Sequence, residues 1–205
     1  MRRLTLIVLF ALGSGAASAQ LPATELSALL GTTQSMQGKF TQQTVDATGA
    51  TVETSVGLFR LLQPDYFYWE ITSPDHQIFV SDGSKLTHYD VDLEQAVVQA
   101  ASASGALNPA RILSGGGRAL EARFVIEQLG NGAKNEFRLT PREDIASFTH
   151  FTLFFDADKL IAFEIADGFE QTTRIVLSDQ TSNDSIGPES FLLNLPPDVD
   201  LIRND

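Results

Sequence analysis

The sequence predicts a mainly β, α+β domain built around one long antiparallel sheet. Apolar and polar residues alternate over most of the chain after residue 38, and turn signals divide that part at short intervals. No succession of strand–helix–strand units appears, which argues against a parallel sheet. A chain of 205 residues suits one domain, and we assign residues 20–205 to it.

Residues 1–19 have the three parts of a secretory signal peptide. Arg2 and Arg3 form a basic start, residues 4–12 form a short apolar run, and Ala17-Ser18-Ala19 is a small-x-small cleavage site. The apolar run is too short to span a membrane. A mobile or membrane-anchoring N-terminus is the alternative.

Composition excludes several classes of function. The net charge is −12, and loss of the two leader arginines would make it −14, which argues against nucleic acid and anionic lipid as partners. The chain has no cysteine, so we expect a core without disulfides. Because bacterial lipoproteins carry lipid on a cysteine after the signal peptide, we expect that this chain is not itself anchored in that way.

The first element of the exported domain is predicted to be an amphipathic helix over about residues 22–37. Leu26, Leu29, Leu30 and Met36 fall near one face of such a helix. Strand-like runs then follow at residues 39–45, 52–62, 66–72, 76–81, 86–91, 95–100, 148–155, 160–166 and 172–178. Between them lie turn signals at Thr48-Gly49, Asp82-Gly83, Asn131-Gly132, residues 156–159 and Asp167-Gly168.

A short helix is predicted to interrupt the sheet midway. Asn108 suits an N-cap and Pro109 a first helical position, and the glycines at residues 115–117 end the segment. Residues 121–129 have no clear preference, but the following Asn131-Gly132 turn favours a hairpin.

Alternation places large apolar side chains on one face of the predicted sheet. In the third strand Phe67 and Trp69 share a face, whereas Tyr68 and Glu70 fall on a face that suits water. We assign six residues to the apolar face: Phe59, Leu61, Phe67, Trp69, Ile78 and Val80. A sheet this long must curl, so the helices can cover its concave side. A filled core and a cavity remain alternatives for that side.

The sequence offers no catalytic constellation. His76, His88 and His150 stand apart from one another at spacings that do not suit metal ligands. Asp156 and Asp158 begin like a calcium loop, but the remaining ligands are missing and a β-turn explains them. We therefore expect no enzyme activity, no cofactor and no bound metal.

The motifs and their order resemble those of the LolA family. Residues 57–99 contain a glycine-led strand, a proline, the Phe67–Trp69 pair, "VSDG" and "LEQ". "MQGKFTQQ", "NPARILSGG", "FRLTPRED" and "FLLNLPPDVDLI" follow the family pattern in the rest of the chain.

The resemblance implies an incomplete antiparallel β-barrel with a helical lid over an apolar cavity. In such a protein the cavity shields acyl chains of lipoproteins crossing the periplasm from the inner to the outer membrane. The six apolar-face residues would line the cavity, and the lid would use Leu26, Leu29, Leu30, Ile112 and Leu113. The implied partners are acylated lipoproteins, an inner-membrane ABC-type lipoprotein-releasing complex and an outer-membrane lipoprotein acceptor, with a monomeric carrier.

Gln63 departs from the family pattern. An arginine commonly stands at this position and is thought to bond backbone carbonyls of the lid, whereas glutamine offers fewer donors and no charge. Gln63 is therefore the predicted latch or partner position. Arg118 as a replacement latch, and a neutral substitution at residue 63, are the alternatives.

Other functions compatible with this architecture are transport of another amphiphile, sensing of lipoproteins, and lipid hydrolysis. The family's outer-membrane acceptor shares the barrel, but the missing cysteine argues against it.

The leader sequence generates the first testable prediction. In cells that export the chain, intact-mass measurement of the periplasmic protein should show cleavage after Ala19, with Gln20 as the first residue. A product that retains residues 1–19 would contradict the signal peptide.

Overall fold

The computed structural model describes residues 22–101, 113, 117–130, 134–143 and 148–204. The helices of this part are α1 (Pro22–Gly31), α2 (Gly117–Arg123) and a 3₁₀ helix (Pro188–Phe191). Its strands are β1 (Ser35–Val45), β2 (Thr51–Leu62), β3 (Tyr66–Ser73), β4 (Gln77–Asp82), β5 (Lys85–Asp90), β6 (Gln95–Ala100), β7 (Phe124–Gly130), β8 (Lys134–Pro141), β9 (His150–Asp156), β10 (Lys159–Ala166), β11 (Thr172–Ser182) and β12 (Asp200–Asn204).

In the described residues the strands form one sheet in the order β12-β6-β5-β4-β3-β2-β1-β11-β10-β9-β8-β7. The pairs are antiparallel except for β12, which runs parallel to β6. The predicted antiparallel sheet is therefore confirmed, as is the β7–β8 hairpin, but the closing parallel strand was not predicted. The Asn131-Gly132 turn and most of the predicted inserted helix lie outside the described residues.

Contacts across the sheet show that it curls. Trp69 on β3 and Phe163 on β10 have ring centroids 6.1 Å apart, although β2, β1 and β11 lie between their strands. Four strand spacings in a flat sheet would separate them by about 19 Å. The sheet therefore bends around these rings as an incomplete barrel, with β12 and β7 as its edges.

Helix α1 is shorter than predicted. It ends at Gly31, after which the hydroxyl of Thr32 donates to the carbonyl oxygen of Leu29 at 2.8 Å. The β-branched pair Thr32-Thr33 does not favour continued helix. Met36, predicted on the helix, is instead a buried residue of β1.

The concave face holds the main core. Helix α1 contributes Leu26 and Leu30, and the sheet contributes a set dominated by phenylalanine. Its fully buried aromatic members include Phe40, Phe59, Phe67, Phe124, Phe137, Phe151 and Phe163. No helix of the described part is long and apolar enough to cross a membrane.

The convex face is covered over part of the sheet, which corrects two predictions. Ile78 pairs with Glu70 and Val80 pairs with Tyr68, so both lie on the face opposite Phe67 and Trp69. The β3–β4 register decides this, because directly paired residues share a face. Their predicted place in the cavity is therefore wrong.

The face of the sheet that carries Tyr68 is also less exposed to solvent than predicted. A second cluster there joins Ile78, Tyr89 and Ala96, and the C-terminal segment packs on it through Leu193, Leu195, Val199 and Leu201. The 3₁₀ helix extends this cover, with Phe191 at 5.6 Å from Tyr66 between ring centroids. The C-terminal segment thus covers the convex face over β3 to β6.

The close approach of β2 to β3 generates a second prediction. A Cβ at Gly57 would overlap the carbonyl oxygen of Glu70 and lie 2.6 Å from Cζ of Phe40. Gly57→Ala should therefore lower the free energy of unfolding by about 3 kcal/mol or more. A Cβ at Gly31 meets nothing within 4 Å, so Gly31→Ala is the matched control and should change it by less than about 1 kcal/mol. Equal denaturant midpoints for the two variants would contradict this packing.

Candidate functional site

A cavity of about 360 Å³ lies at one end of the curled sheet, beneath the C-terminal end of α1. Its apolar walls are Leu29, Leu30, Met36, Leu61, Leu113, Phe155 and Leu160. Its polar lining is Thr32, Thr33, Gln34, Ser35, Gln63, Asp158, Lys159, Gln180, Ser182 and Asn183. One cavity thus joins an apolar interior to a polar rim.

The predicted apolar face divides between the cavity and the filled core. Leu61 lines the cavity. Phe59, Phe67 and Trp69 are buried in the core beside it, where Trp69 stacks on Phe40 at 4.0 Å between ring centroids. When α1 packs on the sheet, these aromatic side chains are surrounded by other protein side chains. The filled-core alternative therefore describes this closed arrangement.

The predicted lid residues converge on the same region. Leu26, Leu30 and Leu113 are buried in the main core, and Leu29 is partly buried against it. Leu29, Leu30 and Leu113 all line the cavity. Ile112 lies outside the described residues.

Gln63 reaches the last turn of α1. Its side-chain amide donates from Nε2 to the carbonyl oxygen of Leu30 at 3.1 Å, and its backbone N–H donates to Gln34 at 2.9 Å. This is the type of bond that a latch would make, while the latch role itself remains a prediction. The side chain of Arg118 is outside the described part.

Asn183 binds the same segment from the opposite side, and the sequence analysis missed it. Its Nδ2 donates to the carbonyl oxygen of Thr32 at 3.0 Å, and its Oδ1 accepts from the backbone N–H of Gln34 at 2.7 Å. Asn183 has a positive φ of 60°, a conformation that asparagine tolerates better than most residues. An asparagine directly after a strand was the available signal.

The three histidines are built into the sheet and its turns. His76 bonds Glu70 at 2.8 Å, and Tyr68 donates to the same carboxylate at 3.0 Å. Burial, followed by this bond, raises the pKa of Tyr68 to about 12. His88 stacks on a phenylalanine ring, and burial lowers its pKa as it does that of His150. In the described ranges no three His, Asp or Glu side chains gather as metal ligands.

Comparison with known proteins assigns the family. The family model described as "Outer membrane lipoprotein carrier protein LolA" matches residues 31–194. The chain belongs to the LolA family.

Relatives of this LolA-family chain match it along most of its length. The outer-membrane lipoprotein carrier protein of Methylococcus capsulatus is 31% identical, over 99% of this chain and 98% of its own. That of Chromohalobacter salexigens is 33% identical, over 88% and 86%.

Solved structures share the fold at low identity. An uncharacterised conserved protein from Thermus thermophilus has a TM-score of 0.58 and 13% identity, over 89% of this chain and 99% of its own. A LolA superfamily protein from Nitrosomonas europaea has a TM-score of 0.50 and 11% identity, over 85% and 99%. These two likenesses support the incomplete barrel.

The stacked environment of Trp69 generates a third prediction. Because Trp69 is 6% exposed and is the sole tryptophan, acrylamide should quench the fluorescence of the folded protein several-fold less than that of the unfolded chain. A chain with Trp69→Phe and Val56→Trp is the control, since Val56 is 41% exposed on the convex face. Equal quenching of the two folded chains would contradict the assignment of the faces.

Proposed function

We propose that this protein carries lipoproteins through the periplasm and holds their acyl chains between α1 and the concave face of the sheet. The observation that supports this most is the cavity beneath α1, which continues into the apolar concave face that α1 partly covers. Membership of the LolA family supports the same conclusion. The cargo is acylated protein, and the action is binding and transfer without catalysis.

The energetic need for a carrier follows from the chemistry of the cargo. Each methylene group moved into water costs about 0.8 kcal/mol, so one sixteen-carbon acyl chain costs about 13 kcal/mol. A lipoprotein therefore leaves a membrane only if another apolar surface receives its chains.

The lid supplies that surface and also covers it when no cargo is bound. Seating Leu26 and Leu30 of α1 contributes about 1.5–3 kcal/mol for each leucine. An entering acyl chain offers more apolar area than these two side chains, so it can displace them. On delivery the helix returns to the sheet, and the free energy it regains offsets part of the lost lipid contact.

The partners follow from this cycle. We propose that an inner-membrane ABC-type complex loads the carrier, because extraction from a bilayer requires work that the chain does not supply. An outer-membrane lipoprotein acceptor or the outer membrane itself receives the cargo. The carrier acts as a monomer, and residues 1–19 direct its export.

The direct test uses vesicles that contain an acylated lipoprotein and the releasing complex. Adding this protein with ATP should produce a water-soluble complex of carrier and lipoprotein, while the non-acylated form of the same lipoprotein should not bind. Release without association, or equal binding of the non-acylated form, would contradict the carrier function.

Comparing the two ways of holding the lid gives a fourth prediction. Gln63→Ala removes one neutral hydrogen bond and should change delivery by no more than about tenfold, the equivalent of about 1.4 kcal/mol. Leu30→Ala should slow delivery more, because losses at packed leucines run about 2–5 kcal/mol and weaken the closed state. Delivery from purified loaded carrier to acceptor membranes measures both.

Leu93→Ala is the matched leucine control, because Leu93 is 72% exposed, and it should leave delivery unchanged. A Gln63→Ala variant without delivery beside a silent Leu30→Ala would show instead that Gln63 is the principal latch or contacts a partner.

A further inference from the structure

Strand β11 changes its facing pattern just before it reaches the cavity. Ile175 and Leu177 point into the core, and plain alternation would then point Asp179 inward and Gln180 outward. The structure reverses this. Gln180 and Ser182 line the cavity, while the carboxylate of Asp179 lies outside and pairs with Lys39 at 2.8 Å.

A β-bulge causes the reversal. The register between β1 and β11 shifts between Gln37 and Lys39, where Asp179 and Gln180 oppose the single residue Gly38. Asp179 has a positive φ of 49°. The missing side chain of Gly38 provides the space for the bulge, because a Cβ there would lie only 3.2 Å from Cα of Gln180. Bulges of this kind re-aim a side chain, and this one exchanges a carboxylate for an amide at the cavity.

The exposed Lys39–Asp179 pair contributes little to fixing the bulge. The pair raises the pKa of Lys39 and lowers that of Asp179, but both side chains are largely open to solvent, where such pairs are weak. The backbone conformation and the missing side chain at Gly38 therefore determine where Gln180 points.

The amide of Gln180 is held in one orientation with its oxygen unused. Nε2 donates to the carbonyl oxygen of Leu160 at 2.9 Å, which fixes the NH₂ group on that side because a carbonyl cannot donate. Oε1 is buried and has no hydrogen-bond partner among the described residues. A buried acceptor without a donor is unfavourable, so a donating group that reached Oε1 when cargo opens the cavity would be bound there.

We propose that Oε1 of Gln180 accepts the N–H of an amide-linked acyl group at the head of the cargo. This rests on the carrier function proposed above and deepens it. An acylated peptide offers such an N–H next to its acyl chains. The ester groups that join acyl chains to the glycerol of a phospholipid offer only acceptors there. Gln180 thus makes the cavity favour acylated peptides over the ester lipids that surround them in a membrane.

The test compares two synthetic ligands that differ in one group. Both are S-dipalmitoylglyceryl cysteine peptides; one is palmitoylated on the α-amino nitrogen, and in the other the matching hydroxy acid carries the palmitoyl group as an ester. Displacement of a fluorescent fatty acid from the full carrier measures both affinities. The wild-type protein should prefer the amide by about tenfold.

Gln180→Met retains the size of the side chain without the amide and should reduce this preference to about twofold or less. Thr181→Ala, on the opposite face of the same strand, should retain the wild-type preference. Equal affinity of the wild-type protein for the two ligands, or an undiminished preference in Gln180→Met, would overturn the inference and leave the carrier function intact. Failure of both ligands to bind the wild-type protein would remove the carrier function, and this inference with it.

Discussion

The concave face of the sheet is apolar and must be covered at every stage, and the rest of the structure depends on this requirement. Phe40, Phe59 and Trp69 form a bed of packed rings that water would solvate poorly. In the structure α1 covers part of this bed. A helix of 10 residues is too short to be stable by itself in water. It stays helical because it packs on the sheet. The folding of α1 and the covering of the concave face are therefore one equilibrium.

The two faces of the sheet are covered in different ways. The cover of the concave face can be exchanged for a ligand, whereas the cover of the convex face is permanent. On the convex face the C-terminal segment packs through leucines and then adds β12 to the sheet. Backbone hydrogen bonds and apolar contacts act together there. Helix α1 adds no ladder to any strand, and its polar ties are a few side-chain bonds. A ligand that competes for apolar area can therefore displace α1 far more readily than the C-terminal segment.

Alternation within strands was enough to predict the sheet and the inward facing of Phe67 and Trp69. It could not predict the facing of residues that depends on strand pairing or on a bulge. Ile78 and Val80 alternate as expected within β4, yet the register with β3 places both on the convex face. Gln180 could not be predicted to face inward, because a bulge reverses the parity of β11. The residues on α1 were predicted by helical spacing, whereas Met36 was assigned to the helix because its end at Gly31 was missed.

The two polar ties at the C-terminal end of α1 are neutral, and this bears on how cargo is released. Gln63 and Asn183 bond carbonyl oxygens of Leu30 and Thr32 from opposite sides of the chain. Each neutral bond contributes only about 1 kcal/mol, less than a charged donor would. Neither bond depends on titration or is strongly screened by salt, since no charge is involved. At this end of α1, closure therefore responds mainly to competition for apolar area, which changes when an acyl chain enters or leaves.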